Sequence, residues 1–164
     1  MEIERKFLIH KLPEGIETFE HHNISQGYIS TNPVIRIRQL DDSYILTMKS
    51  SGLLTREEYE MSISKEEFDN LTAKVDGNVS MKTRYYIPIN DLMIELDIFH
   101  GCFEGLMYAE VEFPDEETAK AFNPPEYFGT DVTEKSGYQN SALSSMSQSE
   151  IDDFIHDFQS QCKA

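Results

Sequence analysis

The chain has 164 residues, enough for one domain with a substantial core, and its 39% hydrophobic and 11% aromatic content excludes an intrinsically disordered protein. Fourteen Lys and Arg against 30 Asp and Glu leave a formal charge of −16, which argues against nucleic acid or an anionic membrane as a partner over most of the surface. No apolar run reaches a membrane-spanning length, the start MEIERKFLI lacks a secretory pattern, and Cys102 and Cys162 have neither disulfide-framework nor metal-ligand spacing, so a cytoplasmic protein is expected.

From the N-terminus, segments 2–9, 24–30, 34–40, 43–50, 55–62, 80–88, 92–99 and 106–113 read as strands by apolar and charged alternation. Thr31-Asn32-Pro33, Asp41-Asp42 and Ser51-Gly52 are turn residues between neighbours, so the strands pair antiparallel. Ser64 and Glu67 make a capping box for a helix over 64–75, with Phe68, Leu71 and Val75 at helical spacing. A short helix follows Asp115 and stops before Pro124-Pro125. Ser147 and Glu150 form a second capping box, for an amphipathic helix at about 148–161 with Ile151, Phe154, Ile155 and Phe158 on one stripe. That stripe suits docking on the domain, closure of a barrel end, or a dimer contact.

Side chains two apart on a strand share a face. The chain repeatedly places charges at that spacing: Glu2, Glu4 and Lys6; Arg36 and Arg38; Thr47 and Lys49; Glu58 and Glu60; Lys82 and Arg84; Glu95 and Asp97; Glu110 and Glu112. For one strand, this pattern is what a solvated antiparallel sheet face looks like. Across seven strands, like-signed pairs repel unless an opposite charge lies between them. Eight strands can close into a barrel whose interior just holds side chains or one small ligand. Carboxylates two apart can hold hard cations such as Mg²⁺ or Mn²⁺, and arginine offers a planar fork to phosphate oxygens. Three inward positions on a strand span roughly 13 Å, enough to line up several phosphates. The pattern therefore predicts a site for phosphate and metal. His10, His21, His22, His100 and His156 have no ligand spacing and are expected to be surface or structural residues, and Asp152-Asp153 to lie on the wet face of the last helix.

With these segments in this order, the chain resembles the CYTH superfamily, the triphosphate tunnel metalloenzymes. The ExExK hallmark is Glu2-Ile3-Glu4-Arg5-Lys6, followed by Ile35-Arg36-Ile37-Arg38, Leu46-Thr47-Met48-Lys49, Glu57-Glu58-Tyr59-Glu60, Lys82-Thr83-Arg84-Tyr85, Glu95-Leu96-Asp97-Ile98 and Ala109-Glu110-Val111-Glu112. The resemblance runs from residue 2 to about residue 143 and is strongest to the small bacterial inorganic triphosphatases. It implies a mainly β, α+β fold: a closed eight-stranded antiparallel β-barrel with flanking helices, in one domain over residues 1–164. It also implies two metal ions, Mg²⁺ or Mn²⁺, held by Glu2, Glu4, Glu110 and Glu112, with Glu58, Glu60 and Asp97 nearby. Lys6, Arg36, Arg38, Lys49, Lys82 and Arg84 would grip the phosphates, and Glu4, Lys82 and Tyr28 would serve catalysis. The expected reaction is hydrolysis of tripolyphosphate to pyrophosphate and phosphate. The alternatives are an adenylyl cyclase making cyclic AMP from ATP, and a non-catalytic triphosphate or nucleotide sensor. The partner is then a small triphosphate, with neither nucleic acid nor membrane, in a monomer or homodimer. One departure is Gly137, in Glu134-Lys135-Ser136-Gly137-Tyr138-Gln139-Asn140, where the family often carries an arginine.

Overall fold

The computed structural model describes residues 1–161; Cys162 and the last residues of the expected 1–164 domain lie outside them. Ten strands are present: β1 (Glu2–Ile9), β2 (Glu20–Thr31), β3 (Val34–Leu40), β4 (Ser43–Lys49), β5 (Thr55–Arg56), β6 (Glu58–Ile63), β7 (Ser80–Ile89), β8 (Leu92–His100), β9 (Met107–Glu112) and β10 (Phe128–Asp131). Four α-helices accompany them: α1 (Lys65–Thr72), α2 (Glu116–Ala121), α3 (Asn140–Ser144) and α4 (Gln148–Gln161). None is long and apolar enough to cross a membrane.

Local chemistry accounts for most boundaries. Two hairpins turn at Asp41 and Asn90, which take φ of 51° and 52°, a region that short side chains bonding to nearby backbone tolerate. Ser64 and Glu67 complete both halves of the capping box on α1. Asp115 accepts from the Thr118 N–H at 2.7 Å to start α2. Ser147 and Glu150 exchange the equivalent pair of 3.2 Å bonds at the start of α4.

The sheet runs β10-β1-β9-β8-β7-β2-β3-β4-β6, antiparallel throughout. The segment expected as one strand over 55–62 is divided at Glu57 and serves as the seam. Thr55 and Arg56 pair with Ile3 and Glu2 on β1, while Glu58–Ile63 pairs with β4. The barrel is therefore nearly closed. Further along β1, the edge that β6 would need is taken by β10, through Phe7↔Asp131 and Ile9↔Phe128.

The core has two parts. Ile3, Ile9, Ile94, Leu96, Ala109 and Val111 pack outside the barrel, with Phe122 and Phe128 against them. The second part joins Leu8, Phe99 and Tyr108, which share strand faces with Lys6, Asp97 and Glu110, to Leu143, Ile151 and Phe158. An apolar plug thus fills one end of the barrel, and the stripe on α4 docks against it. Gly77 anchors the neighbouring turn. Its φ is +87°, and an added Cβ would stand 2.0 Å from the Ser144 carbonyl oxygen. That close approach lets Asn78 hold α3 through bonds to the Leu143, Ser144 and Met146 carbonyls.

Candidate active site

Above the plug, the barrel encloses a cavity of about 460 Å³. Strand parity delivers its walls. Glu2, Glu4 and Lys6 come from β1, Arg36 and Arg38 from β3, Lys49 from β4, Glu58 and Glu60 from β6, Arg84 from β7, and Glu110 and Glu112 from β9. Tyr28 joins them beside Arg36, where a register shift between Tyr28 and Ser30 bends β2.

Two expected residues do not line this cavity. Lys82 and Asp97 sit at its floor against the plug, their side chains wholly enclosed, with Lys82 Nζ 2.7 Å from Asp97 Oδ2 and 5.3 Å from the Phe99 ring centroid. Two wall residues, and one residue outside the cavity lining, were not among the expected ligands. Glu95 pairs with Arg84, Arg56 reaches Glu2 and Glu4 at 3.5 and 3.7 Å, and Gln26 holds Arg38. Arg56 and Glu95 stand two residues from Glu58 and Asp97, so the alternation already put them on the charged face. The histidines stay outside: His22 bonds Asp41 and Glu20, His100 bonds Thr83, and His10 and His21 stack on Phe158 and Tyr85.

The cations divide into two kinds. Arg84 donates from Nε and Nη2 to Asp97 at 2.7 and 2.9 Å and faces Glu95 through Nη1, so acids hold its charge. Lys49 donates to both oxygens of Glu2 at 3.0 and 3.1 Å. Arg38, by contrast, is held by a neutral amide, donating from Nε and Nη2 to Gln26 Oε1 at 2.8 and 2.6 Å. Arg36 donates to the Thr47 hydroxyl at 3.2 Å, its Nε is enclosed with no hydrogen bond, and Glu60 is 3.9 Å away. Burial, with the Arg36 and Arg84 charges, pushes Arg38 down to about 9. The two guanidiniums of β3 are a buried positive charge that protein acids balance only in part, through Glu60 at 3.9 Å from Arg36. Such a site takes an anion.

The acidic wall shows the opposite strain. Burial, then Glu110 and Glu2, pushes the Glu4 carboxyl well above its usual range. Burial also raises Glu110, but Lys6, Arg84 and Lys82 outweigh it and hold that carboxyl far down. Burial and the hydrogen bond with Glu2 raise Glu58 to about 7. Crowded carboxyls of this kind are a donor set for a hard divalent cation. Among the described residues, no three acidic, His or Cys side chains converge into a ready-made ligand cage. A magnesium-type ion needs none, because one or two carboxylates with waters and substrate phosphates complete its shell. Glu110 Oε1, enclosed without a hydrogen bond, is one available donor. The residues fit the ion by chemistry and charge.

A further part of the wall comes from the segment after β10, which lies against β1. Lys6 donates from its backbone N to Thr133 Oγ1 at 3.0 Å and from Nζ to the Tyr138 carbonyl at 2.8 Å. Thr133, Lys135, Tyr138 and Gln139 thereby face the cavity. Gly137 meets no atom within 4 Å of where a Cβ would stand, leaving open space at the position of the family's arginine.

Known proteins bear out this reading of the fold. The chain is 43% identical over 148 residues to an inorganic triphosphatase of Nitrosomonas europaea, covering 87% of this chain and 95% of that one. It is 32% identical to an inorganic triphosphatase of Acetivibrio thermocellus, covering 87% and 92%. A crystal structure of an inorganic triphosphatase superimposes with a TM-score of 0.67 at 38% identity, over 90% of this chain and 96% of the other. A putative adenylyl cyclase from Hippeastrum shares the fold at 19% identity, with a TM-score of 0.59 over 73% and 83%. The CYTH domain family matches residues 1–133, which contain every strand and every carboxylate and guanidinium of the cavity, and the chain belongs to that family.

Proposed function

We propose that the cavity hydrolyses a short linear triphosphate, inorganic tripolyphosphate, to pyrophosphate and phosphate with a divalent metal. The carrying observation is the Arg36–Arg38 pair, buried, hydrogen-bonded to Thr47 and Gln26, and facing a carboxylate wall across one cavity. A chain of phosphates fits between the walls, with the guanidiniums of β3 on one side and the carboxylates of β1 and β9, which would hold the metal, on the other. The two inorganic triphosphatase relatives support the same substrate class.

Arg36 and Arg38 hold phosphate oxygens in place and oppose the charge that grows on the leaving pyrophosphate. Lys49 and Lys6 flank them, and Lys6 is already positioned by Tyr138. Tyr28, beside Arg36, places its phenol on the same wall. Glu2, Glu4, Glu58, Glu110 and Glu112 would hold the ion, Mg²⁺ or Mn²⁺, one or two in number, with Glu60 near Arg36. When bound, it supplies Lewis-acid polarisation of phosphoryl oxygens and a more acidic water. A carboxylate of the β1/β9 wall would orient the attacking water and accept its proton. Asp97 orients Lys82 and Arg84 from below.

The test is a panel of tripolyphosphate, ATP and thiamine triphosphate against Mg²⁺ and Mn²⁺, with products identified. Pyrophosphate plus phosphate from tripolyphosphate, abolished by a chelator, is the expected result. Cyclic AMP from ATP, or tight triphosphate binding with no turnover under either metal, would overturn it.

A further inference from the structure

Arg38 and Arg84 are held in the same way by residues of different charge. Each lies directly opposite its holder on a neighbouring strand, Arg38 on β3 across from Gln26 on β2, and Arg84 on β7 across from Asp97 on β8. Each presents the same edge, with Nε and Nη2 as donors, at 2.8 and 2.6 Å to Gln26 Oε1 and at 2.7 and 2.9 Å to the Asp97 oxygens. Asp97 opposes the charge it holds with its own. Gln26 fixes the guanidinium and leaves its charge in place.

Gln26 acts from behind the wall. It is 1% exposed and is not part of the cavity lining, whereas Arg38 is. A guanidinium only donates, so the amide oxygen faces it, and Nε2 is left enclosed without a hydrogen bond. Two of the five guanidinium N–H groups are taken up by Gln26 and three are left. The strand that carries Gln26 is itself fixed. It pairs with β3 on one side and β7 on the other, and the Asp76 N–H donates to the Tyr28 carbonyl at 3.0 Å. A Cβ on Gly27 would stand 2.8 Å from Val75 Cγ1, so the backbone next to Gln26 has no room to shift.

A glutamate of the same length would leave no donor unmet and would accept charge-assisted bonds from Arg38. Asp97 shows that the barrel accommodates a buried carboxylate in this role. For holding a guanidinium in place, the amide is the weaker group on both counts. What it preserves is the capacity of Arg38 to be balanced by a ligand.

We propose that Gln26 is a positioning residue for the reaction, one that aims Arg38 at the phosphate oxygens of the substrate and, being neutral, leaves the guanidinium charge to them. The inference rests on the reading of the cavity as a triphosphate site. Gln26 touches no substrate atom and acts only through Arg38.

The test combines calorimetric titration with tripolyphosphate under a chelator, thermal melts, and steady-state kinetics with Mg²⁺. Gln26→Glu should weaken tripolyphosphate binding about ten-fold or more and raise KM to match, with a melting temperature no lower than that of the wild type. Affinity lost without stability lost is a result that a merely structural residue does not give. Gln26→Met, similar in size but without the oxygen, should also weaken binding, and should add no further loss to Arg38→Met. If Gln26→Glu fails to fold, this second pair of variants decides the same point. Wild-type affinity in either Gln26 variant would overturn the assignment. So would a loss that only follows a fall in melting temperature, or a full further loss on top of Arg38→Met. Each of these leaves tripolyphosphate binding by the wild type intact. Failure of the wild type to bind tripolyphosphate would overturn the triphosphate reading and the role of Gln26 with it.

Discussion

Lys82 and Asp97 stand 2.7 Å apart beneath the cavity, both side chains without solvent contact, and Arg84 closes on the same carboxylate with two further bonds. Burial pushes the Lys82 ammonium down to about 7, against the opposing pull of Asp97. Burial raises the Asp97 carboxyl, but Arg84 and Lys82 outweigh it and hold it low. One acid thus serves two enclosed cations. Removing it strands both, and a broken buried pair costs about 3–5 kcal/mol. Asp97→Asn should therefore lower the unfolding free energy by about that amount, while Lys82→Met combined with Asp97→Asn recovers part of it. Urea unfolding of the wild type, Asp97→Asn, Lys82→Met and the double variant measures the coupling. Near-native stability of Asp97→Asn with a selective loss of metal affinity would instead make Asp97 a metal ligand.

Glu4 should behave in the opposite way. Its carboxyl is destabilised as an anion by burial and by Glu110 and Glu2, so removing its ionisation relieves repulsion in the fold. Glu4→Gln should melt no lower than the wild type, and metal-dependent tripolyphosphate hydrolysis should fall by about a hundred-fold or more. Thermal melts together with kcat at saturating Mg²⁺ separate the two effects. A lowered melting temperature with normal turnover per folded molecule would remove Glu4 from the site.

Alternation at period two made most of the barrel legible, because a strand face is a matter of parity alone. It brought Glu2, Glu4, Lys6, Arg36, Arg38 and Lys49 to one cavity. Parity says nothing about depth along the barrel, however. Lys82 and Asp97 share the correct face, yet they lie at the level of the Phe99–Tyr108 plug, where only tertiary packing decides what is solvent and what is floor. Parity also included Arg56, but nothing in the alternation over 55–62 marks the break at Glu57 that sends Thr55 and Arg56 to β1 and the rest to β4. The sequence of β10, Phe128-Gly129-Thr130-Asp131, likewise carries no alternation of apolar residues. It is held from outside, by the edge of β1 and by the Arg5 guanidinium on Asp131 at 2.7 Å. The α3 helix depends in the same way on Asn78.

That dependence gives a sharp steric prediction. At Gly77 an alanine would have to keep φ near +87° and place its Cβ 2.0 Å from the Ser144 carbonyl oxygen, a backbone atom with little freedom to retreat. Gly77→Ala should destabilise the protein by roughly 2–4 kcal/mol through left-handed strain plus displacement of α3. Because α3 carries Asn140 and Ser141 on the cavity wall, the KM for tripolyphosphate should rise with the loss of stability. Denaturant melts and steady-state kinetics check both, and an unchanged midpoint would show that the Asn78–α3 contact is dispensable.

The rim of the barrel supplies a pH signature independent of the catalytic charges. His22 sits between Asp41 and Glu20, with the Tyr86 ring 5.5 Å away, and the hydrogen bond to Asp41 raises its pKa above 6.5. The His22 bond in turn lowers Asp41. A raised folded-state pKa means that the folded protein binds the proton more tightly than the unfolded chain. The stabilisation is therefore complete below the unfolded value of 6.5 and is lost as pH rises through the higher folded value. Asp41 sets the other limit: its contribution is present above 3.8 and is lost as pH falls through its depressed value. His22→Gln, which cannot take up the proton, should melt below the wild type at about pH 6, and the gap should narrow towards about pH 9. A gap of constant size across that range would show that His22 acts through packing on Tyr86 rather than through its charge.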